Sequence, residues 1–332
     1  MASNYWLLIQ GDDRWHVGRY DGSVSDGYDV DLPAGSDPAA TVDLVAGCLT
    51  EHGYRGEPLI LGLQSSSCLS ACFSAETGAS QSHQSLMYSL EEWLPLAAED
   101  MVADFVVARN SVFGVAVRKS STKQLVELFE NAGVEIQVIA PAVLLGLHSM
   151  LSQSASDTTQ LLLWQNGDTV DLIKIADNQA NVWEVLPASP TAIADRLNAL
   201  VLQYGQDLDI RCNGLGDELL AVIAGLPDLN VVDTTDLSLH EAALDTAEKI
   251  LRGRIDSMIN LCRDALASTD PYRPVRRHIH FATCLGVLFL LSTAAIFFYR
   301  GIQYDRIRTD AIDAQTDIYR KVFPKGSIPI GI

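Results

Sequence analysis

Three short turns place glycine beside carboxylates or amides. Gly11-Asp12-Asp13 follows the apolar run Tyr5-Trp6-Leu7-Leu8-Ile9, Asn166-Gly167-Asp168 follows Gln160 to Gln165, and Asn213-Gly214-Leu215-Gly216-Asp217 follows Asp209 to Cys212. Glycine lets backbone N–H groups approach a phosphate closely, and a carboxylate nearby can hold a metal ion through its oxygens. Phosphate handling is therefore the chemistry to test first. The bland reading is strong, because Asp favours turns whatever their function, so Asp12, Asp13 and Asp168 also read as solvated turn residues. No Gly-x-Ser-x-Gly, phosphate-loop or His-Glu-x-x-His pattern occurs. The six cysteines lack the paired spacing of a zinc site, and Cys68-x3-Cys72 falls on a strand-like stretch of small residues. No metal ligands and no catalytic residues are assigned.

A second group of residues points to binding. Glu91, Glu92, Glu99, Asp100 and Asp104 form an acidic run that could dock a basic protein surface, with a plain solvated face as the even alternative. The chain of 332 residues carries a net charge of -19. Residues 1–272 hold 14 Lys+Arg against 38 Asp+Glu, a net -24, while residues 273–332 hold 9 against 4, a net +5. A head this acidic is repelled by nucleic acid and by anionic lipid, which excludes nucleic acid as a partner. The basic end suits phospholipid head groups.

The elements around these residues alternate. A hairpin is expected from Tyr5–Ile9 and Trp15–Tyr20, then a helix at Thr41–Leu49, a buried strand at Pro58–Gln64 and a helix at Gln84–Leu94. Paired strands at Phe105–Ala108 and Phe113–Val117 precede a helix at Thr122–Asn131 and a strand at Val134–Ile139. The polar stretch 152–159 reads as a lobe boundary. After it the hairpin recurs at Gln160–Trp164 and Thr169–Ile175, joined by Asn166-Gly167, a strong hairpin turn. Val182–Leu186 extends that sheet, Thr191–Tyr204 is helical, and Leu239–Leu266 reads as one long helix. Two lobes opening on glycine-bearing hairpins imply an internal α/β repeat, 1–151 and 152–267.

A basic linker, 268–280, leads to Phe281–Tyr299, an uncharged apolar run of 19 residues. As a helix it reaches roughly 28 Å, close to the hydrocarbon thickness of a bilayer. The first ten residues lack a basic, signal-like start, so the head is expected on the cytoplasmic side and the C-terminus in the periplasm. In the segment 300–332, Tyr304, Ile307, Ala311, Ala314 and Ile318 recur by three and four, a short coiled-coil seam for a homodimer; a lone amphipathic helix is the alternative.

Four stretches carry a resemblance. They are Leu90-Glu91-Glu92-Trp93-Leu94-Pro95-Leu96 with Glu99 to Asp104, Gly133 to Ile136 with Ile139-Ala140-Pro141, Leu161 to Gln165, and the late span followed by Tyr319 to Pro324. In this order they resemble the protein L component of bacterial type II secretion systems, whose soluble part is similar to the type IV pilus assembly protein M. The resemblance implies a two-lobed actin-like (RNase H-like) cytoplasmic domain, one inner-membrane helix and a periplasmic coiled segment. It implies a scaffold that recruits the secretion ATPase (protein E) and pairs with the inner-membrane protein M and with a second copy of itself. Pseudopilins are further candidate partners. The resemblance also implies a small ferredoxin-like domain after Phe323-Pro324; the sequence given stops at Ile332, either because it is cut short there or because this branch lacks the domain. An actin-like nucleotide site would need an acid at the second hairpin, where Trp164 and Gln165 stand. Gly11, Asp12, Asp13, Gly167, Asp168, Gly214 and Gly216 thus read as degenerate nucleotide loops, with no ATP hydrolysis and residual ATP binding left open. The alternatives are a pilus platform fusing M-like and N-like parts, and a membrane-anchored actin-like ATPase.

Overall fold

The computed structural model describes residues 4–322, apart from 22–24, 75–81, 109–110, 154–159, 177–178, 206–207, 228, 236, 252, 256–257 and 268–272. The chain divides into two units, 1–268 and 269–332.

In the first unit, β1 (Tyr5–Ile9), β2 (Arg14–Tyr20) and β3 (Ser25–Asp31) form an antiparallel meander, followed by α1 (Pro38–Glu51) and β4 (Leu59–Leu63). An inserted three-stranded sheet follows, made by β5 (Cys68–Ser74), β6 (Met101–Val107) and β7 (Ser111–Arg118), with α2 (His83–Glu91) between β5 and β6. Next come α3 (Lys119–Asn131), β8 (Ile136–Pro141) and α4 (Ala142–Gln153). The sheet order is β3-β2-β1-β4-β8, with β1, β4 and β8 parallel. The expected boundary at 152–159 lies mostly outside the described residues.

The second lobe repeats this plan. It contains β9 (Gln160–Asn166), β10 (Thr169–Ala176), β11 (Gln179–Pro187), α5 (Pro190–Tyr204), β12 (Leu208–Asn213), α6 (Asp217–Ala224), β13 (Leu229–Thr235) and α7 (Leu239–Leu251). Its order, β11-β10-β9-β12-β13, matches the first five-stranded sheet position by position. β9 pairs antiparallel with β10 and parallel with β12, as β1 does with β2 and β4. The hairpin repeat read from the glycine turns is present. β3 and β13 were not expected, because Ser-Asp-Gly and Asp-Thr-Thr weaken the strand pattern.

β1 shows why these runs become central strands. All five of its residues are buried, with Trp6 and Leu8 in one core cluster and Tyr5, Leu7 and Ile9 in another. Only a strand covered on both faces can hide such a run. α1 starts where Asp37 accepts the N–H of Ala40 at 2.7 Å and Pro38 sets the first turn.

The helix expected over Leu239–Leu266 is shorter: α7 stops at Leu251. Gly253 takes φ +63°, and the N–H groups of Gly253 and Arg254 return to the carbonyls of Ile250 and Lys249. That left-handed cap ends the helix. Residues 258–266 then form a strap along β8. Leu261 N–H donates to the Ile139 carbonyl at 2.7 Å, and Ile259, Leu261 and Leu266 enter the main core. The apolar residues Met258 and Leu261 therefore serve a non-helical segment rather than a helical stripe.

The second unit contains α8 (Arg273–Val322), 50 residues long. The arginine-rich linker expected up to residue 280 is helical from Arg273 onward; Pro274 sits in the first turn, where a missing N–H costs nothing. The apolar run lies inside α8, whose most apolar window has a mean hydropathy of 2.2 and no buried residues. By length and composition this helix can cross a membrane. Tyr304, Ile307, Ala311, Ala314 and Ile318 follow on the same continuous helix with exposed side chains.

Candidate functional site

The first glycine turn joins β1 to β2. A Cβ on Gly11 would meet the Arg14 carbonyl oxygen at 2.4 Å, so only glycine fits. Asp12 and Asp13 are exposed. Gln64, just past β4, donates from Nε2 to Asp12 Oδ1 at 2.9 Å and to Ser66 Oγ at 2.6 Å. Asp13 contributes its carbonyl to Leu32 N–H at 2.8 Å. A cavity of about 320 Å³ opens here, with walls including Gln10, Asp12, Ser36, Gln64 and Ser121, every one from the first lobe.

The second and third turns meet through one side chain. Gln165 Nε2 donates to the Gly167 carbonyl at 3.2 Å, while its Oε1 accepts the Gly216 N–H at 3.1 Å. Gly167 (φ +60°) and Gly214 (φ +66°) both need the left-handed region. Asp168 is exposed and offers its carbonyl to Ala188 N–H. Asn213 is buried and holds Leu237 through both backbone groups, at 2.7 and 2.9 Å. Gly167, Gly214 and Gly216 are thus brought together, whereas Gly11, Asp12 and Asp13 line a separate cavity.

In this structure the Gln165 carboxamide accepts the Gly216 N–H, and the Gln64 carboxamide donates to one oxygen of Asp12. Among the described residues no group of three His, Cys, Asp or Glu is placed to hold a metal.

Trp164, where an acid would be needed, has a structural task. It is buried, and a Cβ on Gly146 of α4 would come within 2.7 Å of its ring. Trp164, Ile173, Ile175 and Trp183 of the second lobe share one core with Val115, Val143, Leu144 and Leu147 of the first. Beneath this seam lies Asp171, fully buried, accepting the Trp183 indole N–H at 2.8 Å. Burial pushes its carboxyl up to about 6, against the pull of the Trp183 and Ser65 hydrogen bonds. Across the seam Ser70 Oγ donates to the Trp183 carbonyl at 2.8 Å.

The acidic run divides. Glu92, Glu99 and Asp100 are exposed and Glu91 is half-buried, beside Trp93 (62% exposed) and Tyr88 (56%). Asp104 does not belong to that surface, contrary to the sequence reading. It is 6% exposed in β6; its Oδ2 accepts Asn260 N–H at 2.7 Å, and its Oδ1 takes Phe105 N–H and Arg263 Nη1, both at 2.8 Å. The strap covers the strand edge from which Asp104 would have faced water. Gln64, Gln165, Asn260 and Arg263 were missed by the sequence reading. Gln165 stood out in the sequence only as a missing acid.

No protein-family model matches the chain, and no curated protein matches it in sequence. Solved structures do resemble it. The cytoplasmic domain of EpsL, an inner-membrane component of the type II secretion system of Vibrio cholerae, aligns with TM-score 0.56 and 14% identity, covering 80% of this chain and all of that one. The PilM–PilN type IV pilus biogenesis complex aligns with TM-score 0.59 and 14% identity, covering 77% and 99%. A Bacteroides thetaiotaomicron protein with an actin-like ATPase fold and unknown function gives TM-score 0.55 and 10% identity, covering 73% and 95%. The chain has the actin-like fold that the resemblance implies.

Proposed function

We propose that this chain is a non-catalytic, single-pass inner-membrane scaffold of a type II secretion system. The observation that carries the reading is the joining, in one chain, of an actin-like head to a helix able to cross a membrane. The head's phosphate-type loops are tied by its own glutamines, Gln64 and Gln165. The likeness to a secretion-system inner-membrane component supports the assignment of the system.

In this reading the head recruits the secretion ATPase (protein E) from the cytoplasm through Glu91, Glu92, Glu99 and Asp100. α8 crosses the bilayer and pairs with protein M and with a second copy through Tyr304, Ile307, Ala311, Ala314 and Ile318. No cofactor is needed. Purification of the tagged full-length chain from membranes tests this: the secretion ATPase and protein M should accompany it, and their absence at low salt would remove the proposal. The likeness to the PilM–PilN complex favours one second reading, a pilus platform. Co-purification of a pilus ATPase and pilus-platform proteins would select it. Turnover of ATP by the purified full-length chain without partners would overturn the non-catalytic assignment.

A further inference from the structure

Two histidines that no role above uses meet between β2 and α7. His16 lies on β2 and His240 in the first turn of α7, and their rings stack with centroids 3.9 Å apart at 26°. His16 Nδ1 is 2.9 Å from Asp29 Oδ1 on β3, and Asp29 Oδ2 is 3.3 Å from Arg14 Nη1. The other ring nitrogen of His16, Nε2, is buried without a hydrogen-bond partner. Gly27 lies against the same ring edge, where a Cβ would come within 2.8 Å of His16 Cε1. The imidazoles are held in place by a carboxylate on one side and bare backbone on the other.

We propose that the His16–His240 stack is a proton-operated latch that holds the first turn of α7 on the β2–β3 hairpin and releases it when the His240 ring is charged. A proton on His240 falls against the stacked His16 ring, at the start of a helix whose unpaired N–H groups disfavour a cation. The charged groups facing the pair are Asp29, with Arg14 and Asp31 behind it, from the hairpin, and Glu241 from α7 itself. Elsewhere on the surface α7 presents to its neighbours, the Tyr5 hydroxyl of β1 is bonded to the Leu244 carbonyl, and His148 of α4 faces Asp245 and Lys249. Burial first, then the His16 charge, holds His240 below the ordinary histidine range, only partly offset by Glu241 and Asp29. A base depressed in the docked state contributes stability above its unfolded value, about 6.5, and that contribution is lost as pH falls through it. The consequence is directional, because α7 leads through Gly253 into the strap and from there, along the chain, to α8.

The test is amide hydrogen exchange of the full-length chain in detergent micelles at pH 7.5 and 5.5, corrected for intrinsic rates. Residues 239–251 should lose protection by up to about tenfold at pH 5.5, the limit for one proton taken up a pH unit below its unfolded value. His240→Phe keeps a stacking ring without a titrating group and should abolish that pH dependence. Equal protection of wild-type α7 at both pH values would overturn the latch, as would an unchanged loss in the phenylalanine variant. If that variant does not fold, the wild-type imidazole decides: His240 titrating at or above 6.5 by NMR also overturns it.

Discussion

Asp104 Oδ2 accepts the backbone N–H of Asn260 at 2.7 Å, joining residues 156 positions apart. The same carboxylate takes Arg263 at 2.8 Å, so one side chain of β6 fixes the strap that follows α7. Asn260 Oδ1 in turn accepts Ile139 N–H at 3.3 Å and Cys262 N–H at 3.0 Å. A segment whose own regular structure is one short 3₁₀ turn, Asp264–Leu266, is thereby held in the core by hydrogen bonds to two strands.

Removing that anchor should loosen the strap. Asp104→Ala leaves the Asn260 N–H buried and the Arg263 guanidinium without its carboxylate, at a cost of about 2–3 kcal/mol. Arg263→Ala should cost less than about 1 kcal/mol, since that guanidinium is more than a third exposed. Urea unfolding of the full-length chain, followed by tryptophan fluorescence, checks both. Equal effects of the two variants would contradict the buried role of Asp104.

Asp171 makes stability depend on pH in a stated direction. Its carboxyl is raised to about 6 in the folded chain. The neutral form is favoured there, so its unfavourable effect is absent below the unfolded value near 4, grows as pH rises to 6, and is complete above it. The cost at pH 7 is about 3 kcal/mol. Asp171→Asn should therefore raise the melting temperature at pH 7.5 and leave it nearly unchanged at pH 3.5–4, by calorimetry. A variant less stable at pH 7.5 would show that the charge is satisfied.

The interlobe seam should tolerate little change. Trp164→Ala removes a ring packed on Gly146 and opens a cavity, costing about 3–5 kcal/mol. Gly146→Val pushes into the same ring from the other side, costing about 1–3 kcal/mol. A double variant more stable than the sum of the two losses, measured by chemical unfolding, would reflect their direct contact.

The acidic face gives a binding prediction. Reversing Glu91, Glu92, Glu99 and Asp100 to Lys should abolish ATPase capture at low salt, while Trp93→Ala weakens it by about tenfold if the ring anchors the contact. Capture by the wild-type chain should fall as salt rises. Undiminished capture by the reversed variant would move the docking surface elsewhere.

Much of this protein was set by local pattern. The run Tyr5–Ile9, the Asn166-Gly167 turn and the apolar stretch Phe281–Tyr299 each specify their element through nearest neighbours, because side-chain alternation, glycine backbone freedom and uninterrupted hydrophobicity act within a few residues. Tertiary structure decided what those patterns could not contain. Asp104 read as surface charge and Leu239–Leu266 as one helix, until a strap arriving from residue 258 onward covered β6 and β8. Likewise Trp164 and Gln165 looked only like missing acids, while the fold makes one an interlobe wedge and the other a tie between two glycine turns. Such roles depend on partners dozens of residues away. Burial and hydrogen bonding are properties of who meets whom in space, and sequence spacing records only who is next in line.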